Sequence, residues 1–546
     1  MGLFVLWMLV ASIANSGSFC LTGLSYPDDD QNDPNYVFLH EATSAPAISY
    51  YHYIVIGGGA AGCPLAATLS SKYNVLLIER GGSPYGNPNI TNLSSFHNNT
   101  LADLSSTSLS QRFISEDGVI NSRARVLGGG TSINAGFYSR AEPKYVKDSS
   151  WDDKLVNESY EWVEKFVVFK PKIEAWQSAV RDGLLEVGVL PNNGFTFDHV
   201  NGTKIGGTMF DQNGHRHTAA DLLRYANPKR ITVLLHATVG RVLFRSKGNQ
   251  KPVAYGVMFT DASGMRHKAY LKQEGLGLMK NEIVLSAGAL GSPQLLMLSG
   301  VGPADHLRSL NITVVVDQPL VGQGMSDNPM KGIFVPSPSE VEVSLVQVVG
   351  ITEFGNYIET ASGGNSTVFN GGIIFEKVIC PLSTGHLKLK TKNPNANPLV
   401  TFNYFKEPRD LQRCVNGVKT IEKVVASKAF SKFRFDSISF QTLLNLTSSF
   451  PINLVPKTGN DSTSLEQFCR NTVTTIWHYH GGCQVGKVID QDHKVLGVDS
   501  LKVIDGSTFI DSPGTNPQAT TMMLGRYMGI KILNKRRLQL DGTMGG

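Results

Sequence analysis

Tyr51-His52-Tyr53-Ile54-Val55-Ile56-Gly57-Gly58-Gly59-Ala60-Ala61-Gly62 decides the fold. Its apolar, β-branched half reads as a strand buried on both faces, as in a parallel sheet. The glycines then turn the chain sharply. Pro64-Leu65-Ala66-Ala67-Thr68-Leu69 has the small and apolar side chains of a helix packed closely on a sheet, and Asn74-Val75-Leu76-Leu77-Ile78-Glu79 supplies a second strand. Together they make a βαβ unit. In Gly57-x-Gly59-x-x-Gly62 the backbone is free to approach a pyrophosphate at a helix N-terminus, where unpaired N–H groups and the helix dipole favour negative charge. Glu79, closing the second strand, is placed to accept hydrogen bonds from an adenosine ribose. The turn alone does not separate a flavin from a nicotinamide dinucleotide, and a purely structural glycine turn is the bland alternative.

The chain has 546 residues, 41% of them hydrophobic and 17% charged, so a large core and more than one domain are expected. Strand-like runs at Ile231-Thr232-Val233-Leu234-Leu235, Glu282-Ile283-Val284-Leu285-Ser286 and Leu501-Lys502-Val503-Ile504-Asp505-Gly506 are expected to return to the same sheet. The predicted architecture is α/β: a Rossmann-type dinucleotide-binding domain from 50–150, 206–305 and 471–546, with a discontinuous α+β substrate-binding domain from 151–205 and 306–470. Alternating strands such as His386-Leu387-Lys388-Leu389-Lys390 are assigned to that second domain, and Tyr26 to Ser49 is read as an irregular arm.

A net charge of +5, with no run of five like charges, implies neither a nucleic acid nor an anionic membrane surface as partner. The chain opens with the apolar stretch Leu3 to Ala14, followed by small residues up to Cys20, which reads as a signal peptide over 1–20, with a membrane anchor as the alternative. No later segment is expected to cross a membrane, and the protein is expected to act as a secreted monomer. Nine Asn-x-Ser/Thr sequons, at Asn89, Asn92, Asn98, Asn157, Asn201, Asn311, Asn365, Asn445 and Asn460, suit passage through the secretory pathway. Six cysteines are too few for a disulfide scaffold. Cys414 and Cys469, both in polar helical contexts, are the expected bridge, and Cys63 is expected to be buried and free. No Cys/His spacing suits zinc, so no metal is expected.

A second glycine-rich run, Ala124-Arg125-Val126-Leu127-Gly128-Gly129-Gly130-Thr131-Ser132-Ile133-Asn134-Ala135-Gly136-Phe137-Tyr138, admits a flat ligand and offers backbone N–H groups to its polar edge. Here the sequence resembles the glucose-methanol-choline (GMC) oxidoreductase family, whose first signature these residues match. Gly288-Ala289-Leu290-Gly291-Ser292-Pro293-Gln294-Leu295-Leu296-Met297-Leu298-Ser299-Gly300-Val301-Gly302 is similar to the second. The resemblance runs from about Tyr51 to the C-terminus and is marked toward the plant HOTHEAD and mandelonitrile lyase groups. It implies FAD as cofactor, with contacts on Gly57, Gly59, Ala60, Ala61, Gly62, Glu79, Arg80, Val126, Gly130, Asn134, Ala135, Gly136, Phe137, Val239, Trp477, His478, Gly506, Pro517 and Gln518.

Thr475-Ile476-Trp477-His478-Tyr479-His480-Gly481-Gly482-Cys483 holds two histidines, and a neutral imidazole is the natural acceptor for a hydroxyl proton. The resemblance makes His478 the catalytic base and His480 its hydrogen-bonding neighbour; spacing alone leaves the reverse assignment open. The family's second active-site position falls on Asn516. The implied reaction is oxidation of a CH–OH group, in HOTHEAD-like members of long-chain ω-hydroxy fatty acids. The alternative is a hydroxynitrile lyase that cleaves a cyanohydrin with the same histidine, although the almond-type lyases carry His where Asn516 stands and a cysteine near Ile358. The region between Tyr357 and Phe375 is shorter than in HOTHEAD-like relatives and is expected to alter the substrate pocket.

Overall fold

Tyr53–Ile56 and Val75–Ile78, every residue of them buried, lie at the centre of a six-stranded parallel sheet. The strand order across it is Leu39–Glu41, Ile231–Leu235, Val75–Ile78, Tyr53–Ile56, Glu282–Leu285 and Leu501–Val503. All three returning runs therefore join the sheet as the sequence predicts. The computed structural model describes residues 34, 36–93, 105, 107–246, 248, 250–273, 281–363, 370–457, 464–514 and 516–544; the signal-peptide expectation for 1–20 falls outside them.

Helix Gly62–Ser70 is buried along its whole length, between the sheet and the C-terminal helix Gln518–Met544. Small residues make that approach possible: a Cβ on Gly525 would stand 2.2 Å from the Ala61 carbonyl oxygen. The arm read as irregular is partly ordered into strands. Leu39–Glu41 edges the parallel sheet, and Ile48–Tyr51 pairs with Arg266–Leu271 in a separate four-stranded sheet. Their polar composition suits edge positions, which sequence periodicity does not reveal.

A seven-stranded, mainly antiparallel sheet stands apart, running Thr474–Thr475, Pro329–Pro336, Gly371–Val378, Asn356–Ser362, Val348–Ile351, Gly202–Ile205 and Asn192–Phe195. Successive side chains on a strand point to opposite faces, and this sheet uses both. Ile333, Ile358, Ile374 and Val378 pack with Trp176, Val418 and Ile421 of the helices Ala175–Glu186 and Pro408–Ala426. Met330, Ala361, Ile373 and Phe375 form a separate cluster on the other face. The hairpin between Asn356–Ser362 and Gly371–Val378 is in register from end to end, so the short connection leaves the sheet intact.

Two segments assigned to the substrate side pack elsewhere. Leu387, Leu389, Val400 and Phe402 join the core beside Ile54, Ile283 and Val503. Helix Asp153–Val167 sends Val156, Tyr160, Val163 and Val167 into the core beside Val55 and Val284. Long-range packing, invisible in local pattern, decides both.

A disulfide joins Cys414 to Cys469 across 55 residues of chain, and Cys63 is free and buried, both as predicted. Closing such a loop restricts the unfolded chain. Cys414→Ser is therefore expected to cost about 2–4 kcal/mol of stability, seen as a lower denaturation midpoint with little change in turnover.

Candidate active site

The first glycine turn is pinned from both sides. Glu79 accepts from the Gly58 N–H at 2.9 Å through one carboxylate oxygen and from the Gly81 N–H at 2.8 Å through the other. Gly128 N–H donates to Gly58 O at 2.7 Å, which brings the second glycine-rich run alongside. Gly129 and Gly59 then approach so closely that a Cβ on Gly129 would stand 2.7 Å from the Gly59 Cα. Asn134 ties the far end: its Nδ2 donates to Gln518 Oε1 at 2.8 Å and its Oδ1 accepts from Gly136 N–H at 2.9 Å.

These turns open into one cavity of about 650 Å³. Gly57, Gly59, Ala60, Ala61, Glu79, Arg80, Val126, Gly130, Asn134, Ala135, Gly136, Phe137, Val239, Trp477, His478, Gly506, Asn516, Pro517 and Gln518 all line it. Of the candidate residues only Gly62 is set back. It is buried at the helix start, where a Cβ would stand 1.9 Å from the Gly57 carbonyl oxygen, so its part is to let helix and turn meet.

The histidine segment reaches the cavity because Trp477 adopts a left-handed backbone, φ 60°, which is rare outside glycine. Two bonds hold that bend: Trp477 N–H donates to Thr475 Oγ1 at 2.7 Å, and His478 N–H donates to Asp327 Oδ1 at 3.1 Å. Asp327 also accepts from Thr475 Oγ1 at 2.6 Å and from the Tyr404 hydroxyl. Burial pushes its carboxyl up to about 6, although these donors oppose the shift. His478 Nδ1 and Trp477 Nε1 are buried without a hydrogen-bond partner. Burial, the Lys377 ammonium and His480 together hold the His478 imidazole well below the usual histidine range, hence neutral. His480 instead turns its Nδ1 to the His478 carbonyl at 3.0 Å.

Sequence reading missed three further residues. Asp327 anchors the histidine loop. Glu359 and Lys377 come from adjacent strands, and Glu359 joins Met330, Leu345, Val346, Ala361, Phe375 and Ile476 in walling the cavity beyond the glycine turns. Lys377 Nζ donates to Asn516 Oδ1 at 2.9 Å. A charged residue in a strand buried on both faces was the available signal. Ile358 turns its side chain to the helix-covered face, and no cysteine lines the cavity among the described residues.

A parallel sheet that delivers a glycine turn into a cavity shared by a neutral imidazole and a carboxamide defines a dinucleotide-dependent oxidoreductase. The GMC oxidoreductase family models match residues 51–330 and 381–525, and the chain belongs to that family, an FAD-dependent one. The cavity fits FAD: a Cβ on Gly130 would meet nothing within 4 Å, and two buried ring N–H or N: groups there await partners. The chain is 52% identical to Protein HOTHEAD of Arabidopsis thaliana, over 89% of each chain. It is 45% identical to a sinalpyl alcohol oxidase of Nesocodon mauritianus, over 91% of each, and 41% identical to (R)-mandelonitrile lyase 1 of Prunus serotina, over 91% of this chain and 90% of that one. Formate oxidase of Aspergillus oryzae shares the fold, with a TM-score of 0.75 at 17% identity over 91% of this chain and 100% of that one.

Proposed function

We propose that the protein is a secreted alcohol oxidoreductase in which His478 takes the hydroxyl proton while Asn516 holds the same oxygen. The observation that carries this reading is that His478 and Asn516 line one cavity and both sense Lys377, with Met330, Ala361, Phe375 and Ile476, which cluster together, in the same lining. Such walls exclude water and suit a substrate with an apolar body; a long-chain ω-hydroxy fatty acid is the proposed one. The neutral imidazole is ready to accept a proton at neutral pH, and an amide N–H donated to the oxygen favours its anionic form. FAD, when bound along the glycine turns, supplies the acceptor for the hydride of the carbinol carbon. Residues 50–150, 206–305 and 471–546 are proposed to hold it, with 153–167 and 385–402 packed onto that lobe. Exposed sequons at Asn89, Asn157, Asn201, Asn311 and Asn445, with the disulfide, support secretion and glycosylation, and no described helix is long and apolar enough to cross a membrane.

Cyanohydrin cleavage is the second reading, favoured by the identity to a mandelonitrile lyase. It needs the same proton transfer. The asparagine at 516 and the cysteine-free wall weigh against it.

The test is the visible spectrum of the anaerobic protein before and after addition of a long-chain ω-hydroxy fatty acid, with mandelonitrile in a parallel cuvette. Bleaching of the flavin band supports the alcohol oxidoreductase. Unchanged flavin with release of benzaldehyde and cyanide overturns it.

A pH dependence follows from the lowered His478. A base with an ordinary histidine value would lose about threefold in neutral fraction between pH 7 and pH 6. With its value held down, His478 stays neutral as pH falls through that window. The expected kcat/KM at pH 6 is thus within about twofold of that at pH 7, measured on the substrate that reduces the flavin.

A further inference from the structure

We propose that Lys377 is a positioning residue of the active site: its buried ammonium orients the Asn516 amide so that Nδ2, not Oδ1, is turned to the substrate oxygen. The inference rests on the reading of Asn516 given above and adds what makes that residue a donor.

Lys377 is fully buried, and its Nζ lies 2.9 Å from Asn516 Oδ1, 4.1 Å over the Tyr357 ring centroid and 3.6 Å from Glu359 Oε2. The distance to Glu359 is beyond hydrogen-bond range, and that carboxylate oxygen is buried without a hydrogen-bond partner. An ammonium carries donors only, so an amide facing it must present its oxygen. Ordinarily the two ends of an asparagine amide are interchangeable assignments; here chemistry removes the choice. With Oδ1 committed, Nδ2 is left to donate.

A second buried pair in the same sheet shows what a structural arrangement looks like. Lys331 and Glu376 belong to the helix-covered face: Lys331 Nζ donates to Met330 O at 3.1 Å, and Glu376 accepts from Asn356 Nδ2 at 3.1 Å. Neither lines the cavity, whereas Glu359 and Asn516, the partners of Lys377, both do. The groups that sense Lys377 are Glu359 and Tyr357 on the neighbouring strand, Asn516, and the imidazoles of His478 and His199, with Asp327 below the histidine loop. The ammonium opposes a proton on His478 and favours negative charge on an oxygen beside Asn516. One residue thereby sets the donor and adds to the burial that keeps the base neutral.

The holoenzyme carries the test as a double-mutant cycle over Lys377→Met and Asn516→Leu. Three readouts are taken: kcat/KM on the alcohol that bleaches the flavin, its pH profile, and the Kd of the corresponding carboxylic acid, read from the shift of the flavin band without turnover. Flavin content and Tm report the fold. Each single variant is expected to lose roughly 10-fold to 100-fold in kcat/KM, and the double variant to be within about threefold of the worse single, because residues acting as a unit are not additive. Lys377→Met is also expected to weaken the acid's Kd at least about tenfold and to move the acid limb of the profile up toward 6.5, the ordinary histidine value. Should Lys377→Met lose its flavin, Lys377→Gln, which keeps a donor without the charge, carries the same cycle with the same expected movement of the limb. Losses that multiply in the double variant, with the acid limb unmoved, overturn the role of Lys377 alone. An Asn516→Leu enzyme as active as the wild type overturns the reading of Asn516 and this proposal with it.

Discussion

His478→Ala retains its flavin and loses between about 100-fold and 10,000-fold in kcat/KM on the alcohol, the range that a positioned general base contributes. The retention follows from where the loop is held. His478 is fixed by its backbone N–H on Asp327 and by the left-handed turn at Trp477, and its ring Nδ1 is buried without a hydrogen-bond partner. Removing the ring deletes the proton acceptor and leaves the loop's anchors in place. The loss is expected in kcat as well as in kcat/KM, because the proton leaves only as the reaction proceeds. His480→Ala separates the two histidines: its ring sits against the His478 carbonyl, so its removal costs positioning and is expected to cost less. Stopped-flow reduction of the flavin by the alcohol measures both. If His480→Ala were the slower and His478→Ala near normal, the roles assigned to the two imidazoles would be exchanged.

The inner strands of the parallel sheet were legible because Tyr53–Ile56 and Val75–Ile78 are buried on both faces and the glycine turn between them has a fixed spacing; neither signal depends on distant residues. His478, Asn516 and the glycine-run contacts were legible through family signatures, and all but Gly62 of those candidates reach one cavity. What stayed hidden was the choice of strand face. Gly371-Gly372-Ile373-Ile374-Phe375-Glu376-Lys377-Val378 is buried at every position, so no alternation of polarity tells which side meets the cavity. Glu376 and Lys377 are adjacent in sequence, yet one joins the helix-covered face and the other the active site. Register against Pro329–Pro336 and Asn356–Ser362 decides that, and register is a property of the assembled sheet. Asp327 was missed for a related reason: its value lies in three donors, Thr475, Tyr404 and the His478 backbone, which the fold brings from remote segments.

Gly62→Val yields no soluble flavoprotein, whereas Gly130→Ala folds with the wild-type Tm and is altered only in how it holds the cofactor. Both glycines belong to candidate cofactor runs, but their surroundings differ. At Gly62 a Cβ would stand 1.9 Å from the Gly57 oxygen and 3.3 Å from the Ser286 Cβ, with backbone rather than a flexible side chain in the way. Nor is there room to retreat, because helix Gly62–Ser70 is wholly buried and a Cβ on Gly525 of the C-terminal helix would already press the Ala61 oxygen at 2.2 Å. Overpacking in such a site typically costs about 1–3 kcal/mol and more where backbone must move, against a total stability on the order of 5–15 kcal/mol. The turn and the sheet it connects would be displaced together, and with them the cavity. At Gly130 a Cβ meets no protein atom within 4 Å, and the residue lines the cavity, so the added methyl group competes with the ligand and not with the fold. Soluble yield, Tm and the ratio of flavin to protein absorbance distinguish the two. A Gly62→Val protein with normal flavin content would show that the turn can shift away from the helix, contrary to the close contact of Gly62 with the Gly57 carbonyl.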